Sequence, residues 1–198
     1  MLLNDRILLT LMIVAYLTLA LVNDHLEPVN RHFRNFIERT RFMRLRPVMI
    51  VTHKYNDVVS LSLQVLIMSL FIGFYWHDWR RAMVLTSAMF LQTTIVTATK
   101  QLAAVNRPPQ DHSHVVMKSG SYPSGHTAAS MTFALLAPQV LSPYLPPILA
   151  SAIGLYLLAV ALITAYGRLF LDVHWLTDIV GAWLISGITL VFGRLFLY

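Results

Sequence analysis

Apolar and polar positions fall in long blocks along this chain rather than in short alternations. Six apolar runs stand out, at residues 6–22, 58–76, 83–105, 125–142, 148–167 and 175–197. Each approaches the ~20 residues that carry an α-helix across a bilayer. The pattern predicts an all-α protein: a six-transmembrane-helix bundle forming one domain over residues 1–198. Tyr75 and Trp76 close the second run with side chains suited to a membrane interface. The fourth run is the least regular, because Pro138 lies inside it; a proline is tolerated in a membrane helix whose neighbours satisfy the freed carbonyl. The first run also admits a reading as a secretory signal. Its flank is only weakly basic and no small-x-small cleavage site follows, so an uncleaved first helix fits better.

The polar blocks differ in character. Residues 77–82 and 143–147 read as tight turns, 107–124 as a longer polar loop, and 23–57 as the longest polar stretch. With six spans, the loops 23–57, 107–124 and 168–174 share one side of the membrane, and both tight turns and both termini share the other. Within the long loop, Phe33, Phe36, Ile37 and Met43 fall on one helical face and Arg34, Glu38 and Arg41 on another. This predicts a short interfacial helix with a basic face; a solvated charged loop is the alternative. No internal repeat, low-complexity tract or interdomain linker is visible.

Composition supports the membrane reading. The chain is 57% hydrophobic and 12% charged, against about 25% charged in an average soluble domain. The absence of cysteine excludes disulfides and thiolate metal sites. The net charge is +6 and the basic residues lie beside apolar runs, so the expected partners are anionic lipid headgroups at the 23–57 loop, not nucleic acid. Nothing in the pattern sets an oligomeric state. Arg31, Arg34, Arg39, Arg41, Arg44, Arg46 and Lys54 lie in the 23–57 loop, against Arg6, Arg80, Arg81 and Arg194 on the other side. By the positive-inside rule alone, that loop is cytoplasmic.

Three polar clusters end the apolar runs on the shared side. Lys100 and Arg107 are seven residues apart, two helical turns, which would keep them on one face. A cation in an apolar segment is costly and marks a functional site, or else it snorkels to headgroups; arginine adds a fork that matches phosphate oxygens. Pro123-Ser124-Gly125-His126 reads as a helix start. Free N–H groups there suit a phosphate, with Ser124 as N-cap or oxyanion donor, Gly125 allowing close approach and His126 able to protonate a leaving oxygen. An ordinary capped helix is the competing reading. A serine-nucleophile elbow is excluded, since no glycine stands two residues before Ser124. Arg168, His174 and Asp178 follow as R-x5-H-x3-D. His174 and Asp178, four apart, would be neighbours on a helix, and a carboxylate on one ring nitrogen leaves the other free as nucleophile or base. A purely structural pair is again the alternative. Asp111, His112 and His114 lack ligand spacing and read as loop residues. Asp172 is placed to orient Arg168 or His174, and His53 and Asp57 to support the site from the membrane edge; Asp57 can equally start a helix.

Together, K-x6-R-P, P-S-G-H and R-x5-H-x3-D resemble the three-part signature of the type 2 phosphatidic-acid phosphatase family, with ten fixed residue types in order and spacing over residues 100–178. The third motif is often written S-R-x5-H-x3-D; here the position before Arg168 is Gly167. The resemblance implies a bacterial integral-membrane hydrolase of lipid phosphates or diphosphates such as undecaprenyl diphosphate, phosphatidylglycerol phosphate, phosphatidic acid or a lipid A phosphate. It implies that His174 attacks phosphorus to give a phosphohistidine, with Asp178 orienting it and His126 protonating the leaving group. Lys100, Arg107, Ser124, Gly125 and Arg168 would hold the phosphate, with no metal and no cofactor. It also implies an inner-membrane location with the site facing the periplasm, against the arginine count; the expectation adopted here follows the resemblance. A lipid phosphotransferase using the same intermediate, or a non-catalytic lipid-binding or transport protein, is the alternative.

Overall fold

The computed structural model describes residues 3–197, which are helical apart from the 104–124 loop and short connections and contain no strand. In chain order the helices are α1 (Leu3–Val22), α2 (Glu27–Thr40), α3 (Arg46–Tyr55), α4 (Val58–Tyr75), α5 (Trp79–Ala103), α6 (Gly125–Leu141), α7 (Pro147–Phe170) and α8 (Leu176–Leu197), with 3-10 turns at Asn23–Leu26 and Met43–Leu45. Five stretches among the described residues are long and apolar enough to cross a membrane: Asn4–Thr40, which runs from the second residue of α1 to the end of α2, and helices α4, α5, α7 and α8.

The fourth apolar run of the sequence forms α6, only 17 residues long. It packs against α4, α5, α7 and α8, and Ala128, Phe133, Ala134, Leu136, Ala137 and Val140 are buried there. Its Ala, Ser and Thr residues let the surrounding backbones approach closely. Pro138 sits inside the helix without ending it, its ring facing Gly154 of α7. Outward-facing Leu8, Leu11 and Val14 of α1, Leu63 and Ile67 of α4 and Leu155 of α7 are exposed, an apolar coat suited to lipid.

The two tight turns meet each other. Asp78 caps α5 by accepting from Arg81 N at 2.9 Å, Tyr144 donates its hydroxyl to Asp78, and Trp76 stacks on Tyr144 with centroids 4.3 Å apart. The helices begin at Trp79, so the first turn is shorter than the 77–82 expected.

The long polar stretch holds two helices rather than one. The expected face of Phe33, Phe36, Ile37 and Met43 does not form: Ile37 is buried, Phe36 is exposed, and Met43 lies in the turn beyond α2. Arg34 and Arg41, expected on an outer basic face, turn inward. Asp172, between α7 and α8, accepts from Arg41 Nη2 at 2.8 Å and Arg34 Nε at 3.3 Å, and pairs with His112 Nδ1 at 2.8 Å. Arg34 also meets Asp111 at 2.8 Å. Asp172 therefore ties α2 to the 107–124 loop and orients neither Arg168 nor His174 directly. At the start of α8, Asn30 Oδ1 accepts from Thr177 N at 3.2 Å, so α2 satisfies a first-turn donor that the helix itself leaves free. Asp57 starts α4, accepting from Ser60 N at 2.8 Å.

Candidate active site

The polar ends of α5, α6, α7 and α8 converge. Helix α5 stops at Ala103, because Ala104 adopts a left-handed conformation with φ 47°. Arg107 therefore lies off the helix, and the expected shared helical face with Lys100 does not exist. The loop brings the two together instead. Lys100 Nζ donates to Gly120 O at 2.8 Å and Ser121 O at 3.1 Å. Arg107 donates through Nη2 to Gly120 O at 3.2 Å and through Nε to Ser119 O at 2.8 Å. A Cβ at Gly120 would stand 2.5 Å from Lys100 O, so the loop can lie against α5 only with glycine there.

His174 also stands before its helix, since α8 begins at Leu176. It reaches Asp178 because the chain turns at the helix start. Asp178 Oδ2 accepts from Trp175 N at 2.7 Å, meets His174 Nδ1 at 3.0 Å and accepts from the Ser121 hydroxyl. With the proton on Nδ1, the Nε2 lone pair faces outward, 3.4 Å from Arg107 Nη1. The same guanidinium nitrogen donates to Val173 O at 2.5 Å. His174 is 4% exposed. Burial first, then the charges of Lys100, Arg168 and Arg107, hold its imidazole well below the ordinary range, so it is neutral at pH 7 and carries a usable lone pair.

Ser124 and Gly125 start α6, but the Ser124 side chain makes no capping bond; its hydroxyl donates to Thr127 Oγ1 at 3.0 Å, and its N–H donates to Asp178 O at 3.1 Å. His126 Nε2, Arg168 Nε and Arg168 Nη2 are buried and partnerless. Arg168 Nη1 donates to His53 Nδ1. Two cavities meet at Arg107. One, of about 640 Å³, is largely apolar and runs between α4 and α5 past Leu61, Val65, Met89 and Phe90 to Lys100, Gly125, His126, Arg168 and His174. The other, of about 540 Å³, is polar and opens beside Asn30, Arg31, Arg34, Asn106 and Trp175.

The structure thus gathers Lys100, Arg107, Gly125, His126, Arg168, His174 and Asp178, with Ser124 set behind them. Among the described residues no group of three or more His, Cys, Asp or Glu is placed to hold a metal ion. Sequence reasoning passed over Ser121, whose hydroxyl shares Asp178 Oδ2 with His174; its position two residues before Pro123 was the available signal. It assigned His53 no definite task, yet that ring stacks on His126, while His114 is the loop residue expected, its ring edge-on to His53.

Comparison with known proteins places this arrangement. The PAP2 superfamily model matches residues 81–198. No curated protein matches the chain in sequence. The fold resembles the crystal structure of a transmembrane PAP2-type phosphatidylglycerolphosphate phosphatase from Bacillus subtilis, at 17% identity and a TM-score of 0.82 over 98% of this chain and 96% of that one. It also resembles Aquifex aeolicus LpxE, at 22% identity and a TM-score of 0.65 over 84% of this chain and 94% of that one.

Proposed function

The chain belongs to the PAP2 superfamily, and from that membership we propose that it is a membrane phosphatase removing the terminal phosphate of a lipid phosphate or diphosphate through a phosphohistidine. The observation that carries the reading is the His174–Asp178 pair, 3.0 Å apart, presenting Nε2 to a set of cations at the head of an apolar cavity. Such a cavity suits an acyl or prenyl chain, and the cations suit its phosphate. Residues 1–198 act as one domain, with α6 as a sixth, protein-surrounded crossing and α2 and α3 at the interface. The site faces the periplasm of a bacterial inner membrane.

His174 Nε2 attacks phosphorus in line with the lipid oxygen. The P–O bond breaks as the N–P bond forms, and His126 gives its proton to the departing oxygen. An incoming phosphate dianion supplies the counter-charge that lets His126 carry that proton among so many cations. Asp178 steadies the charge on His174. Lys100, Arg107, Arg168 and the Gly125 N–H hold the three equatorial oxygens, with Ser124 supporting the turn. His126 then takes a proton from water, which attacks phosphorus, breaks the N–P bond and releases inorganic phosphate. The cations and N–H groups supply the stabilisation that a metal provides elsewhere, so the reaction runs without one.

The test is phosphate release from a panel of purified lipid phosphates and diphosphates in detergent with EDTA present. Wild-type protein should turn over at least one of them and His174→Ala none. Strict metal dependence, or full activity in that variant, would sink the mechanism. Transfer of labelled phosphate to a second lipid instead of water would convert the reading to a phosphotransferase.

A further inference from the structure

Arg168 poses a physical problem. It is 1% exposed, and among the described residues no carboxylate lies within ion-pair distance of it. A buried cation without a counter-charge is costly. Its Nη1 donates to His53 Nδ1, while Nε and Nη2 end in the interior with no partner. The His53 ring also lies along that of His126, centroids 4.5 Å apart and planes at 25°. His53 arrives there because α3 is seated on α7. Asn56 Nδ2, just past α3, donates to Thr164 Oγ1 at 2.8 Å, and a Cβ at Gly167 would stand 3.3 Å from Met49 Sδ. Met49 and His53, four residues apart, share one face of α3.

We propose that His53 is a positioning residue for this site: its neutral ring accepts from Arg168, turns the two unpartnered guanidinium edges toward the phosphate oxygens, and braces the plane of His126. The inference rests on the phosphate-binding reading above. A carboxylate in this place would neutralise Arg168 and repel a phosphate dianion. An imidazole orients the guanidinium and leaves its charge for the substrate. The surroundings keep the ring neutral. Burial, then Arg168 of α7 and His114 of the loop, hold His53 down to about 4, with Lys54 acting the same way and Asp57 opposing; His126 of α6 faces it as well. Gly167, where the resembled motif carries serine, leaves the space through which α3 makes this approach.

The experiment measures orthovanadate binding by calorimetry on full-length protein in detergent micelles, for wild type, His53→Phe and His53→Asn. The phenyl ring preserves the stack and lacks an acceptor; the asparagine carbonyl restores an acceptor near Nδ1 without the ring. Affinity should fall about tenfold in His53→Phe, the loss of one charge-assisted hydrogen bond, and stay within about threefold of wild type in His53→Asn. His53→Ala gives the same reading should His53→Phe fail to fold. Wild-type binding with an unchanged His53→Phe overturns the inference and leaves the phosphate site standing. An equal loss in His53→Asn shows that restoring an acceptor does not restore the site, and also overturns it. A wild type that does not bind orthovanadate overturns both.

Discussion

The wall of the site built from α5 to α8 and the wall built from α2 and α3 differ in how their polar groups are partnered. On the first, His126 Nε2, Arg168 Nε and Arg168 Nη2 are buried without a partner, and Lys100, Arg107 and His174 line the cavity beside them. On the second, the polar groups are mostly spent on protein. Arg41 and Arg34 are tied to Asp172, Asn30 to Thr177 and Asn56 to Thr164. On the function proposed above, the first wall meets the phosphate and the second holds the first in place. Substitutions in the two should therefore fail differently, the first in turnover and the second in stability or in phosphate affinity.

The largest separation is expected from Asp178→Asn. The amide keeps the shape but favours the wrong tautomer of His174, so turnover should fall on the order of 10⁴-fold with little change in thermal unfolding. A variant with near wild-type turnover would remove Asp178 from the first wall. Asp172→Asn is its counterpart. Asp172 and Arg41 are 1% and 3% exposed, and neutralising one partner strands a buried charge at a cost of about 3 kcal/mol. The melting temperature should drop by about 6–12 °C, while activity per folded molecule changes far less. An unchanged melting temperature would show that the Asp172 junction holds nothing.

The motif residues were legible in the sequence because their chemistry is carried by residue type and order. What brings them together was not. The two-turn spacing of Lys100 and Arg107 suggested a helix, yet Ala104 breaks it, and a glycine sixteen residues further on does the joining. The i, i+4 spacing of His174 and Asp178 gave the right partners through the wrong geometry, a turn before the helix. The second wall was nearly silent. A periodicity argument put Arg34 and Arg41 outside because it cannot see the buried carboxylate of Asp172, more than 130 residues away in sequence. The apolar content of α6 predicted a helix, but not that its small residues would put it among its neighbours, with less contact with lipid.

A smaller effect links the walls through pH. In the unfolded chain His53 takes up its proton near pH 6.5, but in the folded protein only at about 4. Between those values the unfolded state binds more protons, so stability falls as the pH drops through that window. His53→Asn removes this contribution. Melting temperatures of the two proteins, compared from pH 7 to 4, should diverge below about 6.5, the wild type falling more steeply. Parallel curves would mean that the folded ring takes up its proton as readily as in the unfolded chain, so that neither burial nor Arg168 holds it neutral below about pH 6.5.

The smallest expected effect tests the contact between α3 and α7 itself. Serine at position 167 would bring a Cβ to 3.3 Å from Met49 Sδ and 3.8 Å from Met49 O. The approach to the carbonyl is ordinary contact, whereas the approach to Sδ is tight, so either the thioether swings aside or α3 gives by a few tenths of an ångström. Mild overpacking of this kind costs about 1 kcal/mol, a shift of about 2–4 °C in a chain of this size. Where α3 is what gives, His53, one turn along the same face, draws back from Arg168 by a similar amount. Orthovanadate affinity in Gly167→Ser should weaken a few-fold, less than in His53→Phe, and combining the two substitutions should cost little more than His53→Phe alone, because both act on the same contact. Full additivity would separate the glycine from the histidine and leave Gly167 as a packing accommodation with no bearing on the phosphate.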